Sequence, residues 1–303
     1  MTRLWIDTDM GVDDVLAIVA MRAHRAVDGI SLVSGNAPLT QVAQNAGNCV
    51  TELGWDVPVY HGADRPVLGP LETAQAILGA DGLPARGEGP VFTKDSPYDF
   101  PHFLGPLCDW LEEDGPHEIL ALGPLTNLAI LALARPDLLP RIDRLVWMGG
   151  AVGRGNHTPS AEFNAFADPE AVQIVLDRGV MPDVIDLDAC REVQIGSADV
   201  DALAGATTPR ARILHRLLGG YLDIGLSRGR PGMALYDPVA AAAMIAPENF
   251  TFEDARVRMA CTDPVTRGRT ETDFQSQTPN ARFATDLDAD AIRTLCLAPL
   301  ALD

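Results

Sequence analysis

The chain has 303 residues, of which 47% are hydrophobic and 21% charged. That is ordinary globular usage, with enough apolar surface to offset chain entropy, so disorder as the main state is excluded. The formal charge is −19, from 42 acidic and 23 basic residues, and such a surface repels nucleic acid phosphates and anionic lipid, which argues against both as partners.

Short apolar runs alternate with longer amphipathic stretches along the chain. Leu4-Trp5-Ile6 predicts a buried strand, and Asp13 to Ala26 a helix with Val15, Leu16, Ile18, Val19 and Met21 as its apolar positions. Ile30 to Val33 predicts a strand, Thr40 to Leu53 a helix, and Val57 to Tyr60 a short strand. Glu118 to Leu122 is a strand followed by a helix over Leu125 to Ala134. Arg144 to Met148 is a strand followed by a helix over Pro169 to Arg178, and Val184 to Leu187 is the sixth strand. Repeated strand-then-helix units predict an α/β fold with a mostly parallel central sheet flanked by helices on both faces. The C-terminal part differs, with helices over Pro209 to Leu226, Asp237 to Ala246 and Ala289 to Cys296. Strands over Arg256 to Ala260 and Arg282 to Leu287 would form a mixed edge. No linker or repeat marks a boundary, so residues 1–303 read as one domain. Three long loops, Gly69 to Asp99, Gly149 to Asp168 and Ser227 to Tyr236, are expected to carry function or to move.

The longest apolar run, Val239 to Ala246, is far too short to span a membrane. The N-terminus turns acidic at Asp7 before a signal-peptide core can form. The five cysteines, Cys49, Cys108, Cys190, Cys261 and Cys296, are odd in number and lack any CxxC pair, so neither a disulfide framework nor a zinc site is expected. These features together read as a cytoplasmic protein. The basic residues are nearly all arginine. Lys94 is the only lysine, which reads as compositional bias and removes any Schiff-base mechanism that lacks it.

Asp7-Thr8-Asp9-Met10-Gly11-Val12-Asp13-Asp14 holds four carboxylates in eight residues, where the first strand ends and the first helix begins. Ligands of open α/β sheets bind at the carboxyl ends of strands. Four neighbouring carboxylates should not all stay ionised unaided, and a divalent cation resolves that. Oxygen-only donors point to Ca²⁺ or Mg²⁺. Asp13 or Asp14 can instead cap the helix, which leaves Asp7 and Asp9 unexplained. An EF-hand fails, because Gly11 and Ile18 stand where ligands are needed. Asp7-Thr8-Asp9 after a strand also resembles the nucleophile loop of haloacid dehalogenase-like phosphatases, a rival that would use Asp7 as nucleophile with Mg²⁺.

The octapeptide resembles the N-terminal signature of the inosine/uridine-preferring nucleoside hydrolases, with Met10 in place of the usual proline. Further matches follow in that family's order: Gly35-Asn36, Gly123-Pro124-Leu125-Thr126-Asn127, Trp147-Met148-Gly149-Gly150, Glu162-Phe163-Asn164, Asp168-Pro169-Glu170-Ala171 and Tyr236-Asp237-Pro238. The resemblance implies a nucleoside-hydrolase-like α/β domain that hydrolyses the N-glycosidic bond of ribonucleosides, and a homo-oligomer, dimer or tetramer. It implies Ca²⁺ held by Asp9, Asp14, Asp237 and the carbonyl of Thr126, with Asp9 as general base for a water and an oxocarbenium-like transition state. It places Asp13 on a ribose hydroxyl, Asn36 on the water or sugar, and Asn156, Glu162 and Asn164 on the 3′ and 5′ side. Met148 would line the pocket. Several of these residues have plainer readings. Asn36 and Asn156 follow glycines as turn residues do, Met148 suits a core, and Thr126 and Asp237 sit where helix caps sit.

Two departures concern the leaving group. Many members carry histidine directly before the late Asp and before an Asp-Gly-Leu in the first long loop; here those places hold Tyr236 and Ala80. Tyr236 can donate a hydrogen bond or stack on a base, His157 is a spare candidate, and the acid stays unassigned. A non-standard riboside fits the pattern as well as uridine or inosine does, and a scaffold that only binds ribosides is a further alternative. The phosphatase reading wants a downstream lysine and a second acidic motif; Lys94 lies in the Gly/Pro-rich loop and no such motif is present.

Overall fold

The computed structural model describes residues 3–92, 98–205 and 207–301; Lys94 lies outside them. The strands are β1 (Arg3–Thr8), β2 (Gly29–Leu32), β3 (Val59–His61), β4 (His117–Ala121), β5 (Ile142–Met148), β6 (Asp183–Ile185), β7 (Gln194–Ile195), β8 (Met233–Ala234), β9 (Phe250–Met259), β10 (Thr270–Asp273) and β11 (Ala281–Leu287). The helices are α1 (Val12–His24), α2 (Leu39–Glu52), α3 (Gln75–Leu78), α4 (Leu104–Glu112), α5 (Thr126–Ala134), α6 (Phe163–Ala167), α7 (Pro169–Asp177), α8 (Leu187–Glu192), α9 (Ser197–Asp201), α10 (Pro209–Ser227), α11 (Asp237–Ile245) and α12 (Ala289–Leu297).

Nine strands form one sheet in the order β10-β9-β11-β6-β5-β4-β1-β2-β3, and β7 and β8 form a separate antiparallel pair. From β3 to β11 every pairing is parallel, while β9 runs antiparallel to β11 and β10 to β9. This is the expected mostly parallel sheet with a mixed edge. Side chains alternate across it, as the pleat requires. Leu4 and Ile6 of β1, with Val146 and Met148 of β5, enter a core under α1, α2, α10, α11 and α12. Trp5, Leu145 and Trp147 enter a second core under α4, α5 and α7.

Several boundaries differ from the sequence reading. The strand expected from Arg256 begins at Phe250, and β10, a charged edge strand without alternating apolar residues, gave no signal. Helix α4 follows a Pro-rich stretch and was not anticipated. Leu187, expected in a strand, opens α8, because the carboxylate of Asp186 accepts from the amides of Asp188 and Ala189 and so caps that helix. Among the described residues no helix is long and apolar enough to cross a membrane, and all five cysteines are free.

Candidate active site

β1 lies between β2 and β4, in the parallel part of the sheet. The chain leaves its carboxyl end through Asp9 and Met10, and Met10 is the only non-glycine residue described with positive φ, at 47°. That left-handed conformation is held by its surroundings. The Met10 amide donates to Thr8 Oγ1 at 3.1 Å, and Asn45 of α2 donates to the Met10 carbonyl at 3.1 Å and to the Asp81 carbonyl at 2.8 Å. Proline cannot reach this φ, so the residue that departs from the family signature also suits the turn drawn here.

The turn delivers Asp9 into a tightly built socket. The amide of Asn36 donates to Asp9 Oδ2 at 2.7 Å and its Nδ2 to Asp9 Oδ1 at 2.7 Å. The same Nδ2 lies 3.1 Å from Asp14 Oδ2, so Asn36 bridges the two carboxylates. A Cβ on Gly35 would sit 2.1 Å from Asp9 Oδ2, and one on Gly11 would sit 2.2 Å from Asn36 Nδ2. Both positions need glycine because carboxylate and amide occupy the space. Asp14 accepts from the Gly11 amide at 2.8 Å and from the Thr8 hydroxyl, so it closes the first turn of α1 from inside. Asp14 thus closes the helix turn and still stands among the clustered carboxylates.

Helices α1 and α11 pack side by side, which brings their N-termini, and hence Asp13, Asp14 and Asp237, to one place. Carboxylate oxygens of these three lie within 4.8 Å of one another. Asp237 is the first residue of α11 and forms no side-chain cap, so the cap expected of it is not made. None of the ion pairs among the described residues involves these aspartates. Burial foremost, then repulsion by neighbouring carboxylates, pushes Asp9 and Asp237 well above the usual carboxylate range. Burial also raises Asp14, against several hydrogen bonds that lower it. Asp13 is pushed up to about 7 by burial and Asp14. A nest of buried carboxylates with no protein counter-charge favours a bound cation or a proton. An all-oxygen donor set fits a hard metal ion, so this acidic cluster can hold one.

Asp9, Asp13 and Asp237 floor a cavity of about 260 Å³ that is also lined by Asn36, Met148, Asn156, Glu162, Asn164 and Tyr236. Glu162 is buried; its carboxylate accepts from the amides of Asn164 at 2.8 Å, Gly150 at 2.9 Å and Ala165 at 2.9 Å, capping α6. Burial, against those bonds, pushes it up to about 7. Asn164 donates to the carbonyls of Leu122 at 2.9 Å and Met148 at 3.1 Å, which leaves its Oδ1 as an acceptor. Asn156 accepts from the Phe163 amide at 2.9 Å, so its Nδ2 is free to donate. Met148 closes β5 and serves core and cavity at once. Thr126 opens α5, buried, with its hydroxyl on Asp168 at 2.7 Å; it is not a cap. Tyr236 is raised above its ordinary value, mainly by burial, and so stays a phenol at neutral pH. His157 packs against Phe166 and Phe163, ring centroids 4.3 and 5.5 Å away, and burial lowers its pKa.

All three long loops reach the cavity: the first through Thr73 and Ile77, the second through Asn156, the third through Arg230 and Tyr236. Sequence reasoning missed Tyr221 of α10. Its hydroxyl, deep in the wall, lies 2.8 Å from the Ala234 carbonyl and 3.3 Å from Asp13 Oδ2. Nothing local distinguishes it; only the packing of α10 on α1 does. Asp7, the nucleophile of the phosphatase alternative, faces away from the cavity. It is fully buried, accepting from Asn127 at 2.7 Å and from Ser31, and no substrate reaches it there.

The sequence model of the family described as inosine-uridine preferring nucleoside hydrolase matches residues 4–294. The chain belongs to that family. It is 33% identical over 312 residues to the pyrimidine-specific ribonucleoside hydrolase RihA of Enterobacter sp. (strain 638), covering 98% of this chain and 96% of the relative. It is 32% identical over 293 residues to the non-specific ribonucleoside hydrolase RihC of Salmonella paratyphi B, covering 95% and 94%. The solved plant nucleoside hydrolase PpNRh1 superposes with a TM-score of 0.88 at 25% identity, covering 99% of each chain. The protein is accordingly a ribonucleoside hydrolase, a glycosidase acting on N-glycosyl compounds, and the fold expected from the sequence is the family's fold.

Proposed function

We propose that this nucleoside hydrolase works as a Ca²⁺-dependent cytoplasmic enzyme in which Asp9 is the general base. The observation that carries the reading is the nest of buried, uncompensated carboxylates at the floor of the cavity. Asp9, Asp14, Asp237 and the Thr126 carbonyl would hold the ion, with Asp13 beside them. When bound there, the ion supplies Lewis acidity that acidifies the attacking water and anchors vicinal ribose hydroxyls.

The remaining chemistry belongs to the chain. Asp9 accepts the proton of the water whose oxygen bonds to C1′, while the electron pair of the C1′–N bond leaves on the base nitrogen. Asn36 fixes both oxygens of Asp9 for that transfer. The surrounding carboxylates stabilise the positive charge on the ribosyl ring in the transition state. Asp13, held by Tyr221, takes a ribose hydroxyl. Asn164 offers an acceptor, Asn156 a donor, and Glu162 the buried wall of the 5′ side. Grip on the non-reacting sugar is converted into distortion toward the transition state. Tyr236 borders the departing base as a neutral ring and hydrogen-bond donor. RihA is named for pyrimidines and RihC as non-specific, so pyrimidine ribosides belong in the first substrate panel.

The test is release of reducing sugar from purine and pyrimidine ribonucleosides, with and without chelator and with 2′-deoxy controls. Ribose release that stops on chelation, restarts with Ca²⁺ and is largely lost with 2′-deoxy substrates is the expected outcome. Release insensitive to chelation would overturn the metal assignment, and no release from any riboside would favour a scaffold that only binds them.

A further inference from the structure

The floor and the mouth of the cavity carry opposite charge. The floor is acidic, with Asp9, Asp13, Asp237 and Glu162. Four arginines, Arg154, Arg191, Arg228 and Arg230, line the same cavity. Elsewhere the side chains of Arg22, Arg178, Arg212 and Arg269 also stand without an ion pair or hydrogen bond among the described residues, whereas other arginines pair with carboxylates, as Arg86 does on Asp223 and Arg267 on Glu170. At the mouth only Arg191 does so. It is paired to Asp188 at 2.9 Å and donates to the Gly155 carbonyl at 3.2 Å, which ties it to the loop that carries Asn156. The side chains of Arg154, Arg228 and Arg230 have no ion pair or hydrogen bond among the described residues. What sets these three apart is that they converge, with Arg191, on one cavity whose floor is acidic.

We propose that the preferred substrate is a riboside whose base carries negative charge, and that the arginines of the mouth, Arg230 first, recognise that charge. This rests on the nucleoside hydrolase reading given above. The floor repels anions, so the charge cannot sit on the sugar end near Glu162 and Asp13 without penalty. The mouth attracts one. Its walls suit a planar ring: His157 and Phe163 offer aromatic faces, and Ile77 and Met233 offer apolar ones. Guanidinium groups pair with a ring carboxylate or enolate through parallel N–H donors and stack on its face. Arg230 and Arg191 line the same cavity as Tyr236, and their charges act against the burial that raises its phenol.

The same arrangement accounts for the two missing histidines. As the C1′–N bond breaks, its electron pair passes to the base nitrogen. Fixed positive charge stabilises that nitrogen without a proton transfer from the protein. The departing base then takes its proton from solvent, and the water proton stays with Asp9, so charge and atoms balance. Arginine at the mouth replaces an acid at positions 236 and 80.

The experiment compares kcat/KM of the Ca²⁺-loaded enzyme for matched ribosides. Uridine and inosine have neutral bases; 5-carboxyuridine and xanthosine carry the charge on the base; uridine and inosine 5′-monophosphates carry it on the sugar. The expected result is a preference of about tenfold or more for the base-charged member of each pair, as removal of a charge-assisted hydrogen bond would imply. That preference should shrink in high salt, because the mouth is solvent-exposed. Arg230→Gln, alone and with Arg228→Gln, should lower the ratio of charged to neutral kcat/KM by a similar factor, and Arg230→Lys should restore part of it. A product-side readout is binding of free 5-carboxyuracil against uracil by calorimetry, with 5-carboxyuracil tighter in the wild type and not in the double variant. Equal or better turnover of the neutral ribosides would overturn the proposal and leave the hydrolase reading standing. Preference for the 5′-monophosphates would overturn its placement of the charge. Absence of turnover on every riboside would remove the hydrolase reading, and the proposal with it.

Discussion

The floor of the cavity and its mouth are built by different means. The floor comes from the ends of regular elements: the close of β1, the first turns of α1 and α11, and the cap of α6. Its carboxylates are almost wholly buried, Asp9 at 1% and Asp237 at 3% exposure, and Asp9, Asp14 and Glu162 are held by backbone amides. The mouth comes mainly from loops and the four-residue α3, with Ile77 at 44% exposure and three arginines that have no partner among the described residues. A floor of this kind is preorganised, so its groups do not reorganise as charge develops. A mouth of this kind tolerates substitution, and the choice of base can change there without disturbing the sugar end.

Substitutions at the two ends should separate accordingly. The largest effect is expected for Asp9→Asn, which should lower kcat by about 10²–10⁴-fold while the protein stays folded, as loss of a general base implies; steady-state kinetics with circular dichroism would show it, and near-normal kcat would break the assignment. Next is Gly35→Ala. The added methyl meets Asp9 Oδ2, so kcat/KM should fall by roughly 10²-fold, on the scale of an approximately 1 Å misplacement of a catalytic group, with a smaller change in melting temperature.

The third expectation concerns pH and metal together. Burial and repulsion raise the folded-state pKa of Asp9, Asp13, Asp14 and Asp237 above that of the unfolded chain. The folded protein therefore binds protons more tightly there, and each group costs stability once pH passes the unfolded value. In chelator, Tm should fall as pH rises from about 4, the ordinary carboxylate value, to about 7, where Asp13 and Glu162 titrate. Added Ca²⁺ should flatten that slope by binding only the folded form. A Tm that rises through the same window in chelator would contradict the site electrostatics.

The smallest effect is expected for Tyr221→Phe, which removes one hydroxyl shared between Asp13 and the Ala234 carbonyl. About 1 kcal/mol of stability and a severalfold loss in kcat/KM should follow, the ordinary worth of one buried hydrogen bond. A loss confined to stability would remove Tyr221 from the site and leave it as packing.

Much of this was legible in the chain itself, for definite reasons. The parallel part of the sheet announced itself by apolar runs separated by amphipathic helices, and the acidic octapeptide by its density of charge. Strand β10 was not legible, because Thr270-Glu271-Thr272-Asp273 has the composition of a loop and becomes a strand only by pairing with Met259 to Arg256. The cap expected of Asp237 was not formed, since that carboxylate faces the acidic cluster and leaves the helix amides alone. Asn36 was expected on water or sugar, yet its amide hydrogens are spent on Asp9 and Asp14. The arginines were read as a composition bias, and only their convergence on one cavity gives four of them a different meaning.

By itself the sequence determined the class of fold, the order of the family's motifs and the identity of the acidic groups, because those follow from periodicity and residue type within short windows. Tertiary structure alone decided which carboxylates meet. Asp13 and Asp237 are more than two hundred residues apart and come together only because α1 and α11 pack side by side. The same holds for Tyr221 reaching Asp13. Such contacts depend on how faces pack across the core, and no local pattern encodes the distance between two chain segments that meet only after folding.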